Sequence, residues 1–316
     1  GGTKVQGSKL TMATATPILV CMVWRGGDRF ARCLASILEA RDHFSRIIVS
    51  ITGPIDGPDM HAAQAARSED PRIEVICTER EMPTMEHQAF WIDHLLATGA
   101  KETDWIYWLA YDDEVRTTGI EAICNNVGAW PLEKGTAYFG PWAMRHEQPD
   151  HLWHGDRSEP LESWTSFPAQ GPTRLPVAQW IADQLRQPTY MQMSGSVNPL
   201  RSFIDLKDSR PRKVGPMRIE MAIASAPGIT AVEEFAEPVS IIYGRSNSDR
   251  ASYGKAARRE DAHLAAWLLR YSTAHPSAAL PLARAVAHSA AIAGLSAIGR
   301  RQLPVEEWRV RGTVQP

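Results

Sequence analysis

Trp105-Ile106-Tyr107-Trp108-Leu109-Ala110-Tyr111-Asp112-Asp113-Glu114 is an apolar run that delivers three consecutive carboxylates. A continuous apolar run of this length reads as a strand covered on both faces, as in a parallel sheet. Three adjacent carboxylates repel one another and lower stability unless something positive sits among them. A hard divalent cation with oxygen ligands, Mg²⁺ or Mn²⁺, answers that need, and such ions usually hold substrate phosphates as well. The alternative is a solvated acidic turn that caps the next helix.

The same strand pattern recurs upstream. Pro17 to Trp24 is apolar throughout and is followed by the turn Arg25-Gly26-Gly27-Asp28. Phe30, Leu34, Ile37 and Leu38 then recur at helical spacing. Ile47 to Ile51 is a second strand, closed by the turn signals Thr52-Gly53-Pro54 and Asp56-Gly57-Pro58. An Ala-rich helix from Met60 to Arg67, a strand from Ile73 to Cys77 and a helix from Thr84 to Leu96 lead to the acidic strand. A further helix is expected from Gly119 to Val127. Strands alternating with helices call for an α/β fold with a mainly parallel sheet. In such sheets ligands sit outside the carboxyl ends of the strands. The polar clusters Arg25 to Asp28, Thr52 to Asp56 and Asp112 to Glu114 all fall there.

The middle of the chain, Ala137 to about Asp208, is rich in Trp, Pro, Gly and His and has little periodicity beyond a helix from Val177 to Arg186. It is expected to form loops and short strands that build a substrate surface over the sheet. Arg218 to Ser225 reads as a helix stopped by Pro227-Gly228, and Val239 to Tyr243 as a late strand. From Ala256 the chain is Ala/Leu-rich and helical, broken at Pro276 and Pro281. The expected organisation is a tag or loose tail at 1–12, a first α/β half at 13–135, a second half at 136–255 and a C-terminal helical extension at 256–316.

Composition removes several classes. The 316 residues are 44% apolar and 22% charged, enough for a sizeable core. With 34 basic and 36 acidic residues there is no basic field for nucleic acid. Four cysteines with no CxxC pair read as core residues of a reducing compartment, so the expected location is cytoplasmic. No apolar stretch of about 18 residues marks a membrane span. The chain lacks GxxxxGK[ST] and a GxGxxG after its first strand, which disfavours a P-loop NTPase and a dinucleotide oxidoreductase. Several of the 11 tryptophans fall between 91 and 180, which fits either a surface for flat ligands or an aromatic core.

The order of elements around Trp108 to Glu114 resembles the GT-A glycosyltransferases, specifically the family 2 inverting enzymes of bacterial polysaccharide synthesis. The resemblance covers about residues 16 to 255 and makes 13–135 the nucleotide-sugar-binding half and 136–255 the acceptor-binding half. It implies a Rossmann-like, mainly parallel sheet flanked by helices, and a DxD-type element that holds a divalent metal and the donor nucleotide. On it, Asp112 faces ribose and metal, Asp113 is the metal ligand and Glu114 a more distant partner. Ala110 stands where the longer DxDD form has an acid. Trp24, Arg25, Thr52, Asp56, His87 and Arg245 are the implied nucleotide contacts, Asp56 being the family's second aspartate of that turn. The first is replaced by Ile51 or Thr52. Ser194 and Gly195 lie where the family places small residues under the acceptor.

An inverting transferase needs a base for the acceptor hydroxyl, and partial burial tunes a carboxylate for it. The family carries that acid at the start of a late helix, which matches Glu220. Asp205 and Asp208 are rivals, and Glu233-Glu234 reads as surface. The implied activity is metal-dependent transfer of a sugar from a nucleotide-sugar to a glycan or lipid-linked acceptor. Arg258-Arg259 and Arg300-Arg301 offer peripheral contact with anionic lipid at the inner face of the membrane. A Mg²⁺-dependent nucleotidyltransferase, or a non-catalytic carbohydrate-binding protein on a decayed transferase fold, are the alternatives.

Overall fold

The computed structural model describes residues 15–125, 128–140, 142–146, 162–165, 174–186, 193–209, 219–244, 310–314 and, near the C-terminus, 269, 271–277, 279–284 and 287. The expected tail at 1–12 lies outside the described residues, as does most of the C-terminal extension, including Arg258, Arg259, Arg300 and Arg301.

The first stretch alternates as its sequence requires. It runs β1 (Ile18–Trp24), α1 (Gly27–Glu39), β2 (Arg46–Thr52), α2 (Pro58–Glu69), β3 (Ile73–Cys77), α3 (Thr84–Ala97) and β4 (Trp105–Ala110). Residues 18–23 of β1 and 47–52 of β2 are buried without alternation, because helices cover both faces of the sheet. α1 turns Phe30, Cys33, Leu34 and Ile37 inward. Its first free N–H groups do not await a ligand: Asp59 accepts from Gly26 N and Gly27 N, each at 2.8 Å. α2 opens with Pro58, whose missing N–H costs nothing in a first turn. β5 (Glu114–Val115) takes in the last of the acids and α4 (Thr117–Cys124) follows, so the helix expected at 119–127 starts two residues earlier.

The middle region departs most from expectation. It supplies β6 (Thr136–Phe139), β7 (Trp142–His146), β8 (Glu162–Thr165), β9 (Arg174–Pro176), α5 (Val177–Arg186), β10 (Ser196–Pro199) and α6 (Leu200–Ser209). Then come α7 (Ile219–Ala224), β11 (Ala231–Glu234), β12 (Ser240–Gly244) and β13 (Val310–Val314). Four of these strands belong to the main sheet itself, whose eight-stranded order is β3-β2-β1-β4-β10-β6-β11-β9. The short strands expected here are present among the described residues, but β6, β9 and β10 lie within the main sheet and not over it. β10 lies antiparallel between β4 and β6, while β6 and β11 are parallel. A second sheet of five strands has the order β13-β8-β7-β12-β5. Within the expected helical extension, β13 is thus a strand, paired with β8.

The result is three layers, a mainly parallel sheet between helices. One face of the main sheet packs on α3, α5, α6 and α7, the other on α1, α2 and α4. Tryptophans 91, 130 and 180 are buried here, as core residues and not as a ligand surface. Trp91 meets Phe203 edge-on at 5.3 Å, which ties α3 to α6. Phe139 stacks on Trp180 at 5.6 Å. Among the described residues, no helix is long and apolar enough to cross a membrane.

Candidate functional site

The carboxyl ends of β1, β2 and β4 lie side by side. The register pairs Trp24 with Thr52 and Met22 with Ala110, so Trp24, Thr52 and the acids after Ala110 share one edge of the sheet. Asp112, Asp113 and Glu114 are all buried there.

Asp113 and Glu114 have different surroundings. Asp113 has both oxygens engaged. Oδ2 accepts the Ser194 hydroxyl, and Oδ1 accepts Tyr243 N at 3.3 Å. Burial, and then the charge of Asp112, push its carboxyl well above the ordinary range, against the pull of those two donors. Glu114 pairs with Arg32 Nε at 2.9 Å and accepts the Tyr243 hydroxyl. The Arg32 guanidinium also lies over the Tyr243 ring, 3.6 Å from its centre. The charge of Glu114, expected to help hold a metal, is thus already answered by Arg32. Among the described residues, no three His, Cys, Asp or Glu side chains form a group that could hold a metal ion, so the three acids are not a ready cage.

Asp112 and Asp113 still suit a divalent cation. A carboxylate has about four lone-pair positions, and Asp113 uses two on its donors. Hydrogen-bonded carboxylates are the usual metal ligands, and their donors fix the orientation. Two buried neighbouring carboxylates also gain from positive charge between them.

The other expected residues scatter in role. Thr52 is buried, donates to Arg80 O at 3.0 Å and accepts Met82 N at 2.7 Å, so it anchors the loop between β3 and α3. Trp24 is 41% exposed and carries the Arg25 guanidinium 5.3 Å from its ring centre. Arg25 Nε reaches Glu81 at 2.7 Å, also at the surface. Asp56 is exposed in the turn before α2. His87 is buried, with Nε2 2.8 Å from the Ser50 hydroxyl, and burial draws its pKa down to about 4. That places it among core side chains. Arg245 lies outside the described residues.

Ser194 and Gly195 sit in the buried turn before β10. Gly195 has φ +80°, and a Cβ there would stand 2.5 Å from Ser240 Oγ. Its small size therefore serves packing against β12. Glu220 lies in the first turn of α7, as its sequence position required, and is buried there. Of its rivals, Asp205 pairs with Arg201 Nε at 3.0 Å, and the Asp208 side chain lies outside the described residues. Glu233 and Glu234, expected at the surface, lie on β11. Glu234 is buried and Glu233 meets Arg174 at 3.3 Å. Sequence reasoning missed Arg32, Tyr243 and Asp59. Arg32 and Asp59 sit on ordinary helix positions, and only tertiary contact gives them a role.

Neither a comparison with family models nor one with curated proteins gives a match. Among solved structures, the chain is similar to S. aureus TarS 1-349, at 7% identity over 72% of this chain and 60% of that one, TM-score 0.46. It is similar to the same protein in complex with UDP-GlcNAc, at 8% identity over 74% and 60%, TM-score 0.44. A third is 4-diphosphocytidyl-2C-methyl-D-erythritol synthase, at 11% identity over 76% and 97%, TM-score 0.40. The chain spans about 60% of the length of the TarS structures it matches.

Proposed function

We propose that this chain is a glycosyltransferase that moves a sugar, with inversion, from a nucleotide-sugar donor to a glycan or lipid-linked acceptor, in bacterial cell-surface polysaccharide synthesis. The observation that carries this reading is the buried pair Asp112–Asp113 at the carboxyl end of β4, beside the ends of β1 and β2. Asp112 and Asp113 would hold Mn²⁺ or Mg²⁺. Such an ion supplies neutralisation of the charge that develops on the leaving diphosphate. Trp24, Arg25 and Asp56 stand at the edge where the nucleotide would lie. Glu220, buried at the start of α7, takes the proton from the acceptor hydroxyl.

A nucleotidyltransferase reading wants free N–H groups in the turn after β1 to cradle phosphates. Asp59 occupies those of Gly26 and Gly27, which favours the glycosyl reading.

The test is a thermal-shift panel of UDP, GDP, dTDP and CMP, each with Mn²⁺ and with EDTA. A ligand of the folded state raises the midpoint by mass action. One nucleotide should stabilise the chain with Mn²⁺ only, and Asp113→Ala should abolish the shift. Equal nucleotide affinity in EDTA, read by calorimetry, removes the metal. Nucleoside triphosphate hydrolysis or nucleotidyl transfer without sugar transfer overturns the glycosyl reading.

A further inference from the structure

Asp113 is gripped from two sides by segments remote in sequence. Ser194 lies 81 positions away and Tyr243 lies 130 positions away. The Ser194 hydroxyl is committed on both sides. It accepts Ala110 N at 3.1 Å and donates its proton to Asp113. Its own carbonyl accepts the Ser240 hydroxyl at 2.8 Å, which ties the turn to β12. The side chain is buried, and its proton is spent. An acceptor sugar has no donor to gain here.

Tyr243 is held as firmly. Its hydroxyl donates to Glu114, its ring lies beneath Arg32, and Arg32 Nε closes the loop on Glu114 at 2.9 Å. β12 also pairs with β5, Ile241 opposite Glu114 and Ser240 opposite Val115. The Tyr243 N–H that meets Asp113 is therefore aimed by three separate contacts. Left alone, a carboxylate can turn about its side-chain bonds, and that freedom must be lost when it binds a cation. A functional group works when its supporting shell fixes it in place beforehand.

We propose that Ser194 and Tyr243 are positioning residues for Asp113, with Arg32 and Glu114 locking Tyr243; this rests on the reading of Asp112 and Asp113 as the cation-holding pair. It moves Ser194 from the acceptor surface to the support of the acid. It gives Glu114 the task of holding Tyr243 rather than a metal.

The test titrates Mn²⁺ into the full chain by electron paramagnetic resonance, with and without a mixture of UDP, GDP, dTDP and CMP. Ser194→Ala should weaken Mn²⁺ by about 10- to 100-fold, the cost of losing a ligand's supporting partner. Ser194→Thr keeps the hydroxyl and should restore affinity. A purely structural role for the hydroxyl would move the metal-free unfolding midpoint and leave the Mn²⁺ affinity of the folded protein alone. Tyr243→Phe keeps the ring and the N–H, and guards against a Ser194 variant that does not fold. It should weaken Mn²⁺ by about 2- to 10-fold, the worth of one hydrogen bond. Asp113→Ala should abolish binding. If Asp113→Ala abolishes binding while Ser194→Ala and Tyr243→Phe both bind as the native chain does, the positioning role is overturned and the metal reading stands. If the native chain binds no Mn²⁺ under either condition, the metal reading falls and takes this inference with it.

Discussion

The two ends of the main sheet are built by different rules. In β3-β2-β1-β4 every pairing is parallel and successive strands are joined through helices, so apolar runs alternate with helices along the chain. In β10-β6-β11-β9 the order is scrambled. β10 runs antiparallel, and β6 pairs with β11 across nearly the whole of the middle region. The first end is a pattern that repeats locally. The second is a set of short strands of three or four residues, placed by long-range contact. The candidate site needs both ends. The first supplies Asp112 and Asp113, and the second supplies Ser194, which holds Asp113, and the proposed base Glu220.

The largest expected effect comes from the second end. Glu220→Gln should leave donor binding nearly intact and lower turnover by about 10² to 10⁴, the range for losing a positioned proton acceptor. Steady-state transfer together with nucleotide titration of the same variant measures it. Turnover within about threefold of native would show that the first end carries the chemistry without α7.

A second variant breaks the seam between the regions. Gly119 in α4 faces Pro238, and a Cβ there would stand 1.8 Å from the Pro238 carbonyl oxygen. That oxygen is backbone, so α4 and the turn before β12 must separate. Gly119→Ala should cost about 3 kcal/mol, at the upper end of ordinary overpacking. Urea unfolding gives the value, and a change below about 1 kcal/mol would mean the seam is soft.

The third prediction concerns the first end alone. His87 has a folded pKa of about 4, below its ordinary value of 6.5. The unfolded chain therefore takes up its proton first as the pH falls. The stability held by neutral His87 is complete above about pH 6.5 and is lost as the pH falls toward 4, on the order of 3 kcal/mol in all. Unfolding at pH 7, 5.5 and 4.5 should show that slope in the native chain, and His87→Gln should flatten it. Parallel curves would place the titration elsewhere.

The smallest effect sharpens the same comparison. Lys207 on α6 meets Asp93 on α3 at 2.7 Å, and Asp93 is 65% exposed. Lys207→Ala should cost no more than about 0.5 kcal/mol, because solvent screens such a pair. The Trp91–Phe203 contact between the same helices carries the seam instead. Thermal unfolding of Lys207→Ala beside Phe203→Ala separates the two.

The sequence by itself determined β1 to β4, the helices between them, α5, and the position of the acids at a strand end. Those features are written in local periodicity, since a strand buried on both faces must be apolar throughout and a covering helix must be amphipathic. Glu220 in the first turn of a late helix was legible for the same reason. The tertiary structure alone decided that the Trp-rich middle joins the main sheet. Strands of three or four residues are too short for a period to show, and their pairing depends on partners far along the chain. It alone decided that Glu234 is buried and that Glu114 answers to Arg32. It alone placed Ser194 and Tyr243 on Asp113, because a hydrogen bond between residues 81 or 130 positions apart leaves no mark on the local pattern of either.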